Sequence, residues 1–167
     1  MTVSVQDDRA KLDAILAEQA ALMRTAVTVG IHGDAPAYVP GEKDQPPISM
    51  QDIALVHEYG SEDGRIPERS FLRSGIAARE DELLGLLGGV ADKVTTGRLT
   101  AEQAGEQVGL TVQAGIQQRI QQGEIKPELS PVTIAQRTNE SDTPLFDTGQ
   151  LVQSITFVAD QSDPEGR

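Results

Sequence analysis

Between Asp8 and Met23 the apolar residues Leu12, Ile15, Leu16, Ala20 and Met23 recur at the spacing of one helical face, which predicts an amphipathic helix. From Thr25 the pattern changes to Ala26-Val27-Thr28-Val29-Gly30-Ile31, β-branched residues alternating with smaller ones as in a half-buried strand. Ser49 then caps a helix from Met50 to Tyr59, with Ile53, Leu55, Val56 and Tyr59 as its buried side and Gly60 as its stop. Pro67 suits a first helical turn. The apolar face beginning at Phe71, Leu72 and Ile76 continues through Leu83, Leu84, Leu87, Val90, Ala91 and Val94 towards Thr96, with a bend or break expected near Gly88-Gly89. Thr100 and Gln103 form a capping box that opens another helix towards Gln122, striped by Ala104, Val108, Val112, Ile116 and Ile120. Ser130 caps a short helix with Pro131 in its first turn, ending by Asn139. Asp147 caps a last short helix and Gln150 closes its capping box, before Ser154 to Val158 forms a strand. Pairing of that strand with Val27 to Ile31 satisfies the backbone groups of both. The fold class is α+β: a small antiparallel sheet packed with several helices, including a long helical pair in mid-chain, and a projecting Pro-rich loop at 33–48.

That loop carries Gly33, Pro36, Pro40, Gly41, Pro46 and Pro47, too many breakers for regular structure, and a loop of this length is either functional or flexible. As an arm that meets a partner it offers Tyr38, Val39, Glu42 and Lys43. Arg69 and Arg73, four residues apart, share one side of the expected helix and form either a solvated basic stripe or, with Arg65 and Phe71, a subunit contact. The helix after Thr100 is rich in glutamine and carries Gly105, Gly109 and Gly115, which suits a close contact with another helix.

Length and charge narrow the function. At 167 residues the chain fits one domain, taken as 1–160 with a loose acidic tail at 161–167. Its 26 acidic against 14 basic residues give a net charge of −12, which opposes binding to nucleic acid or anionic membrane by bulk charge. The absence of cysteine removes disulfides and thiolate metal sites and fits folding in a reducing cytoplasm. No apolar run approaches the roughly 18 residues of a membrane span, and the polar N-terminus is unlike a signal peptide, so a soluble, unprocessed chain is expected. Aromatics make up only 3% of the residues, so the core is aliphatic, and part of the stability is expected to come from neighbouring subunits.

Two motifs invite a catalytic reading. His57-Glu58 lacks the H-E-x-x-H spacing of a zinc site, and the other histidine, His32, lies across the Pro-rich loop. Asp147-Thr148-Gly149 matches the nucleophile-activating loop of an aspartic protease, which a homodimer could complete with two such loops sharing a proton. Against it stand a mostly helical pattern and Gln150 where a small residue is expected, whereas a helix cap at Asp147 needs no special context.

Four segments together carry a resemblance. Ile53-Ala54 to His57-Glu58-Tyr59-Gly60, Ile66 to Arg73, Leu129 to Ile134, and Pro144 to Ile155 resemble a family of tailed-bacteriophage and prophage morphogenesis proteins, the neck and tail-completion proteins of the head-tail junction. The resemblance spans Val27 to Val158. It implies a non-enzymatic virion protein without cofactors, made in the host bacterial cytoplasm and assembled as a ring, often hexameric, around the DNA channel. Its partners would be its own copies, a connector or head-closure protein on one side, and a tail terminator or tail tube protein on the other, with DNA as passing cargo. A tail terminator and a phage-encoded regulator outside the particle are the alternatives of related origin.

Overall fold

The computed structural model describes residues 8–39, 46–135, 137 and 142–161. Among them the order of elements is α1 (Arg9–Leu22), β1 (Thr25–Gly30), α2 (Met50–Tyr59), α3 (Leu72–Ala77), α4 (Glu80–Thr95), α5 (Ala101–Gln121), α6 (Pro131–Ala135), α7 (Gln150–Gln153) and β2 (Thr156–Gln161). Helices account for 53% and strands for 10% of the described residues, and β1 pairs with β2 as a two-stranded antiparallel sheet, the expected α+β architecture. The chain separates into two compact units, each with its own apolar cluster.

Unit 1 comprises Met1–Thr28, Asp81–Gly109 and Val158–Arg167. Its core is Val90, Val94 and Ala104, with Leu22, Leu86, Leu99 and Val108 packed against it. The capping box at the start of α5 is present in both directions: the Gln103 N–H donates to Thr100 Oγ1 at 3.2 Å and the Thr100 N–H to Gln103 Oε1 at 3.1 Å. A third bond comes from outside the helix, where the Ala101 N–H donates to Glu18 of α1 at 2.7 Å. That contact rotates α1 away from its expected face. Ile15, Glu18 and Leu22 turn inward, while Leu12, Leu16 and Met23 are exposed and no residue of the helix is fully buried. Gly105 lets α5 lie against strands rather than against another helix, since a Cβ there would sit 3.0 Å from Thr25 Cγ2 and 3.2 Å from Ala159 Cβ. No break occurs at Gly88-Gly89; α4 runs through them, and the interruption falls at Ala78-Arg79 instead.

Unit 2 comprises Val29–Glu80 and Leu110–Phe157. Met50, Ala54, Phe71, Ile116, Ile120, Ile125, Leu145, Leu151, Val152 and Ile155 form one cluster, with Phe71 at 0% exposure the largest of the fully buried side chains. Most of the expected α5 stripe thus serves one core or the other. On α2 the inward positions are Met50, Ala54 and Glu58, spaced by four, and Leu55 and Tyr59 are exposed, contrary to the periodicity reading. Helix α3 starts at Leu72 rather than at Pro67, because 61–70 forms a loop in which the Ser61 N–H donates to the Ile66 carbonyl at 2.9 Å. Of the Pro-rich loop, Tyr38 and Ile48 form an antiparallel bridge at its base; Glu42 and Lys43 lie outside the described residues.

The remaining caps divide. Ser130 accepts from the Thr133 N–H at 3.1 Å, as expected of a cap. Ser49 occupies the N-cap position of α2, but its hydroxyl donates to Gln51 Oε1 at 2.6 Å and caps nothing. Asp147 is not the cap of α7. That position belongs to Gly149 in the left-handed conformation, φ +76°, and Thr148 Oγ1 accepts from the Gln150 N–H at 3.3 Å. Gln150 is therefore the first helical residue, and its side chain donates to the Ala37 carbonyl at 3.3 Å.

Candidate interaction site

The His-Glu-Tyr-Gly segment and the segment from Ile66 to Arg73 meet through one carboxylate. A helix start leaves its first N–H groups without partners, and at α3 these belong to Phe71, Leu72 and Arg73. Glu58, only 4% exposed, accepts all three, at 2.8, 3.0 and 3.1 Å. It also accepts from the Ser70 hydroxyl at 2.7 Å and from Arg73 Nε at 2.9 Å. Burial alone would push the Glu58 carboxyl up, but these donors outweigh it and hold the group below its ordinary value. Arg73 closes the outside of the clamp, donating to the Glu58 carbonyl at 2.9 Å and to Glu68 at 2.8 Å, with its guanidinium 4.6 Å from the centre of the Tyr59 ring. Gly60 makes the turn between them: its φ is +82°, and a Cβ would meet the Glu68 nitrogen at 3.0 Å and the Ile66 oxygen at 3.1 Å.

Arg69 forms a second tether. It is 7% exposed, its N–H donates to the His57 carbonyl at 2.7 Å, and its Nε and Nη2 donate to the carbonyls of Pro127 and Glu128 at 2.8 and 3.1 Å. Arg69 and Arg73 thus do not share an exposed stripe. One is an internal strut and the other a clamp, and Phe71 between them is core.

Beside this strut unit 2 holds a groove of about 600 Å³. Its wall is largely apolar, with Ile53, Ile66, Leu129 and Leu151 among its residues, and Tyr38, Arg65, His57 and Arg137 also line it. Leu145, another lining residue, is held at φ +64°, a conformation unfavourable for a side chain with a Cβ. Arg137 ties the far wall together by donating to the carbonyls of Thr143 and Phe146 at 2.8 and 3.3 Å. Of the residues expected at an interface, Tyr38 and Arg65 line the groove, and Arg65 pairs with Asp63 at 3.1 Å. Val39, 68% exposed, is not among its lining residues.

Sequence spacing does not mark His57 and Arg137 as groove residues, because the groove itself is lined by segments far apart in the chain. Burial first, and then the charges of Arg69 and Arg137, lower the His57 pKa from 6.5 to about 4. The unfolded chain takes up a proton through 6.5 and the folded chain only near 4, so this stabilisation is complete above pH 6.5 and is lost as pH falls through the folded value. Unfolding free energies from urea denaturation at about pH 7 and about pH 5 are expected to differ by roughly 2 kcal/mol more in the native chain than in His57→Asn. Equal pH dependence in the two proteins would show that His57 is not held neutral.

A comparison with known protein families, with curated proteins and with solved structures finds no match for this chain. Among the described residues no helix is long and apolar enough to cross a membrane.

Proposed function

We propose that the chain is a structural protein of a tailed-bacteriophage particle, a neck or tail-completion protein that assembles with its own copies into a ring at the head-tail junction. The reading rests on the resemblance, and the observation that supports it is the meeting of the four segments that carry it. Glu58 of the first caps the helix at the end of the second. Leu129 and Ser130 of the third and Leu145 and Asp147 to Leu151 of the fourth line the same groove as His57, Ile66 and Arg69. Residues of one signature are thereby accounted for as one structural device. The Asp-Thr-Gly segment leads into a four-residue helix and lines that groove, which supports a framework role.

The charge of −12 suits a wall past which DNA moves without adhering, the phosphates being repelled at short range. Connector or head-closure protein on one side and tail terminator or tail tube protein on the other are the neighbours this placement requires. Mass spectrometry of purified particles tests the proposal: the protein is expected in a fixed copy number per particle. Its absence from particles whose genome encodes it would overturn the reading.

A further inference from the structure

The groove of unit 2 contains polar nitrogens that the fold leaves unmatched. Arg69 Nε and Nη2 are engaged by carbonyls, Nη1 is not enclosed by the fold, and among the described residues no carboxylate pairs with this guanidinium. A guanidinium with one donor open to a largely apolar groove favours an anionic partner. His57 Nδ1, in the same lining, is buried and without a hydrogen-bond partner. Two acidic residues line the groove as well. Glu128 is paired with Lys126 at 2.6 Å, and Asp147 is exposed. The remaining wall is aliphatic, and about 600 Å³ is room for side chains rather than for a water or two.

The geometry points to this groove as the docking site for an extended segment of a partner protein that presents an apolar side chain next to a carboxylate. The apolar side chain lies against Ile53, Leu129 and Leu151, and the carboxylate accepts from Arg69 Nη1. Charge complementarity selects this occupant: a guanidinium that presents an open donor to the groove favours an anion over a neutral amide, and the aliphatic wall favours an apolar neighbour over a second charge. The groove thereby reads a short peptide pattern, with the main specificity in one charge-assisted bond. This deepens the proposal that the chain is an assembly protein, and rests on it only for which partner supplies the segment.

The test is a titration of the full-length protein, followed by NMR of the leucine and isoleucine methyls and the arginine side chains. The probes are three capped peptides: acetyl-Ala-Phe-Asp-Ala-amide, the same peptide with Asn for Asp, and the same with Ala for Phe. The first is expected to shift the methyls of Ile53, Leu129 and Leu151 together with the Arg69 side chain. The other two are expected to bind about tenfold more weakly, the effect of losing a charged hydrogen bond or a buried ring. Thr133→Trp, at an exposed position of the groove lining, should fill the groove and abolish binding without changing the melting temperature. Equal binding of the Asp and Asn peptides, unshifted groove methyls, or undiminished binding in Thr133→Trp would each overturn the inference. Peptide binding by a protein absent from particles would remove the virion reading and leave the groove. A particle protein that binds none of the peptides would do the reverse.

Discussion

Glu58→Ala is expected to lower the unfolding free energy by about 3–5 kcal/mol, the usual cost of removing one side of a buried, hydrogen-bonded charge. The side chain is 4% exposed and its two oxygens serve three backbone N–H groups, one hydroxyl and one guanidinium. Alanine leaves the start of α3 without acceptors, and each buried donor so orphaned is itself destabilising. Urea denaturation at neutral pH is the measurement, with the midpoint falling and the slope unchanged. Glu58→Gln keeps an acceptor oxygen and should fall between the two proteins. Arg73→Ala, whose side chain is half-exposed, should cost much less than Glu58→Ala. The acid limb carries the same sign: with the folded carboxyl held low, the contribution is whole above the ordinary carboxylate range and disappears as pH falls through the depressed value. A Glu58→Ala protein as stable as the native chain would remove the clamp from the account of this fold.

Phe71→Ala should cost a similar amount, about 3–5 kcal/mol, for a different reason. Phe71 is 0% exposed and packs in a cluster with Met50, Ile116, Ile120 and Ile155. The deletion removes a ring's worth of transfer free energy and leaves a cavity that the rigid neighbours only partly close. The chain has three phenylalanines, so no other large ring is at hand to move into the space without vacating its own. Thermal unfolding of the isolated protein at several concentrations separates this from the contact role that the sequence pattern offered. A core residue lowers the melting temperature equally at every concentration, whereas an interface residue lowers it only where the protein is assembled. Loss of assembly with an unchanged melting temperature of the subunit would place Phe71 at the surface after all.

Local signals made much of the fold legible. Thr100 and Gln103 stand three apart in front of a long 3.6-residue stripe, and α5 begins there; Val27 to Ile31 alternate, and β1 covers most of that run. The errors share one physical origin, which is capping from a distance. Nothing in the local pattern marks Glu58 or Glu18 as a cap, yet each turns inward to meet the start of another helix. Leu55 and Tyr59 on α2 and Leu12 and Leu16 on α1 are left outside as a result. Asp147 failed in the opposite way. A good cap residue stands in the right vicinity, but glycine at 149 adopts the left-handed conformation and moves the start of α7 beyond its reach. The groove was the least legible feature, because its lining comes from the segment before α2, α2 itself, the Ile66-Pro67 loop and the chain beyond Pro127.

The two tethers around that groove differ in the length of chain each must close. Glu58 reaches partners 12 to 15 residues away, whereas Arg69 reaches carbonyls 58 and 59 residues away. Closing a loop about four times longer costs about 1 kcal/mol more in chain entropy. Of the two contacts, the one between Arg69 and the carbonyls of Pro127 and Glu128 is therefore the one that chain connectivity helps less, and both of its bonds are made by a single guanidinium.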